Sequence, residues 1–66
     1  MPVITGSYLR KIREENHIPL EQVASATRIR LSILQDLEVD DYSELSSITQ
    51  ARGFLRVYAA YLGVEE

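Results

Sequence analysis

A chain of 66 residues, 45% apolar and 26% charged, has the composition of one small globular domain, and without cysteine it is held by helix packing alone. It excludes a disulfide framework and a thiolate metal site, and no apolar run nears the roughly 20 residues of a membrane span. The net charge of −3 is uneven: residues 1–30 carry five cations against three carboxylates, a net of +2, and residues 31–66 carry two against seven, a net of −5.

The opening Met1–Gly6 lacks the basic start and apolar stretch of a signal peptide, so cytoplasmic residence is the expectation. The pattern predicts a first helix from about Ser7 to Glu15, capped by Thr5 or Ser7. Leu9 and Ile12 would face the core, with Arg10, Lys11 and Arg13 turned outward. Asn16 would be the left-handed stop. Pro19, which has no amide hydrogen to leave unpaired, would open a second helix from about Leu20 to Ala26, with Leu20, Val23 and Ala24 inside. Thr27-Arg28-Ile29 forms a turn with Ile29 buried as its plug, and a third helix covers Leu31 to Glu38 with Leu34 and Leu37 inside.

The polar connection from Val39 to Ser46 holds two apolar anchors, Tyr42 and Leu45. Ser46 or Ser47 would cap a last helix ending near Leu62, whose apolar stripe is Ile48, Phe54, Leu55, Tyr58, Ala59 and Leu62. Gly53 inside that helix predicts close approach by another helix, and Gly63 predicts its C-terminal cap. A fifth helix could start at Glu65.

Two short helices joined by a tight turn, Leu20 to Glu38, have the proportions of a helix-turn-helix, with small Ala24 near the crossing. In such units the start of the second helix enters the major groove. Here that start carries Arg28, Arg30, Ser32 and, one turn on, Gln35; arginine reads guanine and glutamine reads adenine. Arg10, Lys11 and Arg13 could flank the site and meet phosphate, with Arg28 beside them. Large apolar Leu31 and Ile33 near the same face suit a protein partner or a thymine methyl instead. Phe54 and Tyr61 could anchor an interface, while Tyr58 is read as core.

No catalytic constellation emerges. The acidic run Asp36, Glu38, Asp40, Asp41 and Glu44 is interrupted by Val39 and Tyr42 and lacks the glycine of a calcium loop, so it reads as a solvated connector. His17 is alone, no serine sits in a nucleophile elbow, and the glycines form no phosphate loop. No cofactor, metal or small-molecule substrate is expected.

Four stretches carry a resemblance: Leu9-Arg10 with Arg13-Glu14-Glu15, Leu20 through Ile29, Leu34-Gln35-Asp36-Leu37-Glu38, and Ala51 through Gly63. Together they resemble the RodZ-type branch of the Cro/phage-repressor (Xre-like) helix-turn-helix superfamily, and the last stretch is the specific one. The resemblance implies an all-α, lambda-repressor-like bundle of four to five helices in a bacterial cytoplasmic domain, the N-terminal part of a longer and membrane-anchored protein. It also implies a link between an actin-like filament and the cell-wall machinery. That family contacts the filament through two aromatics one turn apart; the second falls on Phe54 and the first on Gln50, which is not aromatic. Ser46 and Leu31 stand where the family tends to have proline. In the wider superfamily, operator DNA is bound by the residues matching Arg28, Arg30, Leu31, Ser32 and Gln35.

The expectation is therefore a single non-catalytic recognition domain spanning residues 1–66. The leading partner is double-stranded DNA, read by Arg30, Ser32 and Gln35 with Arg10, Lys11, Arg13 and Arg28 on phosphate. The alternative is an adaptor for a cytoskeletal protein, using Gln50, Arg52, Phe54, Arg56 and Tyr61. Helix-turn-helix repressors often act as homodimers, but no exposed apolar seam in this sequence identifies such an interface.

Overall fold

The structure is a computed structural model that describes residues 4–64. Four helices follow in order: α1 (Gly6–Glu15), α2 (Leu20–Thr27), α3 (Leu31–Glu38) and α4 (Ile48–Leu62). No strand occurs among the described residues. The all-α helix-turn-helix architecture is as the sequence indicates; a fifth helix at Glu65 lies outside the described residues.

Local chemistry sets the boundaries. The Thr5 hydroxyl accepts from the Tyr8 amide at 3.2 Å, and the Ser47 hydroxyl accepts from the Gln50 amide at 3.1 Å; each satisfies one amide that a helix start leaves unpaired. Pro19 and Arg30 precede α2 and α3 in extended conformation with no side-chain cap. All four helices stop on a left-handed residue. At His17, Asp40 and Gly63 the chain closes in the two-bond pattern in which successive amides reach back to the last turn: Ile18 to Arg13 and His17 to Glu14, Asp41 to Asp36 and Asp40 to Leu37, Val64 to Ala59 and Gly63 to Ala60. At Arg28 (φ 64°) the single bond to the Ala24 carbonyl does the same work. The left-handed stop of α1 is thus His17 and not Asn16, whose φ is −97° and whose amide side chain donates to the Ile12 carbonyl at 2.8 Å.

Leu9, Val23, Ile29, Leu34, Leu37, Tyr58 and Ala59 form the buried core, drawn from all four helices and the α2–α3 turn. Ile29 is the plug of that turn as expected, fixed by the Thr27 hydroxyl, which donates to the Val23 carbonyl and accepts from the Ile29 amide. Tyr42 and Leu45 anchor the α3–α4 connection against the core.

Five expectations are corrected. Gly53 has no neighbour within 4 Å of where a Cβ would stand; the close approach is at Gly6, where a Cβ would lie 1.5 Å from the Leu37 carbonyl oxygen. A glycine at the first residue of α1 therefore lets its backbone rest on the end of α3. Ile48, placed in the core stripe, is 76% exposed, because the first residue of α4 projects beyond the packed helices; Ala51 takes the buried position one turn on. Ile33 is half-buried and packed against the core, so it is not an exposed apolar group. Arg13 does not point outward and Glu38 is not part of a solvated connector, because each is buried by the other, as described next.

Candidate recognition interface

Arg13 and Glu38 meet where α1, α3 and α4 converge. The Arg13 side chain is 12% exposed and that of Glu38 is 5%. The guanidinium engages both carboxylate oxygens, Nε to Oε2 at 2.8 Å and Nη2 to Oε1 at 3.1 Å, and Nη1 donates to the Ile18 carbonyl at 2.8 Å. The Tyr58 hydroxyl donates to the same Oε2. Every polar atom of this cluster is partnered, the condition under which a buried ion pair is tolerated. Hydrogen bonding to Glu38 raises the Arg13 pKa further, and burial, with the Glu38 carboxylate beside it, pushes that of Tyr58 well up. Arg13 thus serves the fold, and its charge is withdrawn from any phosphate.

The other cations of α1 also change standing. Arg10 Nε lies 3.2 Å from Glu14 Oε2, one turn away, with both side chains about half exposed. Lys11 is exposed and makes no ion pair among the described residues. On the helix-turn-helix unit, Arg28, Arg30, Ser32 and Gln35 are all exposed at the turn and the start of α3, so the expected reading residues do lie together. Leu31 among them is half-buried.

On α4, Arg52 and Arg56 are exposed, one helical turn apart, and neither makes an ion pair among the described residues. Phe54 and Tyr61 are half-buried and packed on the core, and the Tyr61 hydroxyl accepts from the Gln22 side chain at 2.7 Å, tying α4 to α2. Gln50 is exposed, but its amide oxygen accepts from both the amide and the hydroxyl of Ser46, so it locks the start of α4.

The sequence does not reveal a groove of about 510 Å³ beside the first half of α4, lined by Ile48, Ala51, Arg52 and Leu55 of the helix, by Tyr42 and Leu45 of the α3–α4 connection and by Ile4 and Thr5 before α1. Its one sequence signal is the i, i+3, i+4, i+7 spacing of Ile48, Ala51, Arg52 and Leu55, of which the core stripe read from the sequence takes Ile48 and Leu55. Next to Tyr42, Asp40 is held by the Ser7 amide and the Tyr42 hydroxyl; hydrogen bonding from Ser7, chiefly, keeps its carboxyl below the usual range. Among the described residues no group of three or more His, Asp or Glu side chains could hold a metal ion, and no helix is long and apolar enough to cross a membrane.

Comparison with known proteins agrees with this geometry. The family model described as a helix-turn-helix domain matches residues 8–66. Over 54 residues the chain is 35% identical to the cytoskeleton protein RodZ of Streptococcus pneumoniae, a match that covers 82% of this chain and 20% of the relative. The chain therefore spans about a fifth of the length of that relative. No solved structure gives a significant match.

Proposed function

This chain belongs to the helix-turn-helix domains of the RodZ type, and from that premise we propose that it is a non-catalytic adaptor that docks a cytoskeletal filament protein through α4. The observation that carries this reading is the fate of the basic face. Of the three α1 cations available for phosphate, Arg13 is consumed by Glu38 and Arg10 is shared with Glu14, which leaves Lys11 with Arg28 and Arg30 on that side, while both cations of α4, Arg52 and Arg56, stand unpaired among the described residues. DNA affinity rises steeply with the number of phosphates neutralised, so losing one or two contacts from a set this small costs most of it. An interface anchored by exposed arginines beside apolar groups is the composition favoured at protein contacts. The relative's name, a cytoskeleton protein, supports the same direction.

DNA recognition is the second reading, favoured by the joint exposure of Arg28, Arg30, Ser32 and Gln35. Co-sedimentation with a polymerised bacterial actin-like protein separates the two. The adaptor reading expects the domain in the pellet, with Arg52→Ala/Arg56→Ala released and Arg28→Ala/Arg30→Ala retained. A domain that stays in the supernatant, yet binds duplex DNA through Arg28 and Arg30, overturns it.

A further inference from the structure

The groove beside α4 extends the adaptor reading, on which the following inference rests. Its α4 wall presents Ile48, Ala51, Arg52 and Leu55, an i, i+3, i+4, i+7 row that runs for about 10 Å along the helix. Tyr42 and Leu45 of the α3–α4 connection, with Ile4 and Thr5 before α1, add to the groove's lining. Ile48 is the most exposed of the large apolar side chains and sits at the groove's edge, so its exposure is continuous with an apolar floor. Isolated surface aliphatics are ordinary; this one is contiguous with a groove, where a partner side chain could cover it together with the lining. The basic flank is Arg52, with Arg56 one turn beyond, and neither cation is neutralised within the described residues.

We propose that this groove receives a short amphipathic helix of a partner protein, with apolar side chains at helical spacing over two turns and carboxylates along the flank that meets Arg52 and Arg56. Two features select this occupant. A groove that follows α4 for about two turns has the length to seat a short helix, and among the described residues the chain has no sheet edge to take a strand. The unpaired arginines specify carboxylates as the complementary charge, while the apolar floor disfavours a phosphate backbone. A second copy of this chain presents its exposed large apolar side chains, Tyr8, Val39, Ile48 and Val57, singly and on different elements or turns, so it offers no matching row.

The test is an amide-shift titration with a blocked peptide of about 18 residues, long enough to hold a helix. It is built from leucine at i, i+4 spacing with glutamate along one flank, and its counterpart has lysine for glutamate. Shifts on Ile48, Ala51, Arg52 and Leu55 are expected with the glutamate peptide, with binding at least tenfold weaker for the lysine peptide. Ile48→Gln and Arg52→Glu change exposed side chains and keep the fold, and each should weaken binding about tenfold. Equal binding of both peptides overturns the charge assignment. Shifts confined to Phe54, Arg56 and Val57 overturn the groove and leave the α4 adaptor reading standing. Groove shifts that appear with protein concentration alone make a second copy the occupant, and the absence of any shift overturns the proposal. Co-sedimentation with the filament judges the adaptor reading separately.

Discussion

The contact between α1 and α3 and the outer side of α4 are opposites. At the first, a glycine is required, since a Cβ on Gly6 would overlap the Leu37 carbonyl, and a charged pair lies buried at Arg13 and Glu38. At the second, Gly53 faces open space and Ile48 lies in solvent. Pattern reasoning inverts both, putting the close approach at Gly53, the cation outside and the isoleucine inside. The difference teaches where selection for the fold acts. The first region is overdetermined by packing and polar satisfaction; the second is left open, as a surface with a partner would be.

The sharpest way to break that contrast is at Glu38. Glu38→Ala strands the Arg13 guanidinium and the Tyr58 hydroxyl without their acceptor, and removing one member of a buried pair costs about 3–5 kcal/mol. A domain this small has little more than that in total, so urea denaturation should find the variant largely unfolded. Replacing the cluster at once, Arg13→Met with Glu38→Leu and Tyr58→Phe, should recover much of the loss, because it leaves no buried charge and only the Ile18 carbonyl without its Arg13 donor. Next in size is Gly6→Ala, expected to cost about 1–3 kcal/mol, at the upper end because the obstructing atom is backbone. Thermal unfolding would show it as a clearly lowered Tm.

Tyr58→Phe is milder, about 1 kcal/mol, since Glu38 keeps both bonds to Arg13. It also carries a pH signature. Burial raises the Tyr58 pKa above the ordinary tyrosine value near 10, so its contribution is present in full below about pH 10 and is lost as the unfolded chain ionises above it. Wild-type stability should therefore fall on the alkaline side, and Tyr58→Phe should flatten that fall. Tyr42, raised in the same direction by its burial, leaves a residual slope. An unchanged alkaline slope in Tyr58→Phe would remove the hub from this account. The smallest effect has the opposite sign: Gly53→Ala meets nothing within 4 Å in a helix interior and should stabilise by up to about 1 kcal/mol. A loss of filament binding in that same stable variant would show that a partner uses the space.

Much of this fold was legible because it depends on local chemistry. The span of α3, the end of α4 at Leu62, the Thr5 and Ser47 caps, the Ile29 plug and the buried Tyr58 all follow from spacing and capping. What was not legible depends on partners distant in sequence. Arg13 reads as one of three surface cations until Glu38, 25 residues later, is folded against it. The stops at His17, Arg28 and Asp40 carry no glycine, and only the closing hydrogen bonds reveal them; Gly63 alone announces its role. Ile48 fits the α4 stripe in one dimension and misses the core in three, because nothing packs above the first turn there. For the candidate surfaces, the exposure of Arg28 and Arg30 could be read from their place in the turn and that of Ser32 and Gln35 from helix periodicity, while the groove at Tyr42 and Leu45 required the α3–α4 connection to be placed.

The most direct test of the central claim, that α1 has given Arg13 of the basic face over to the fold and that the working surface is α4, is an amide-shift titration with a random-sequence DNA duplex at low and then near-physiological salt. The account predicts no salt-sensitive cluster of shifts on residues 28–35, because Arg28 and Arg30, though exposed and without an ion pair among the described residues, lack the support of Arg13, which Glu38 holds, and share that of Arg10 with Glu14. Shifts that gather on Arg28, Arg30, Ser32 and Gln35 and collapse as salt rises would contradict it and make the domain a DNA reader.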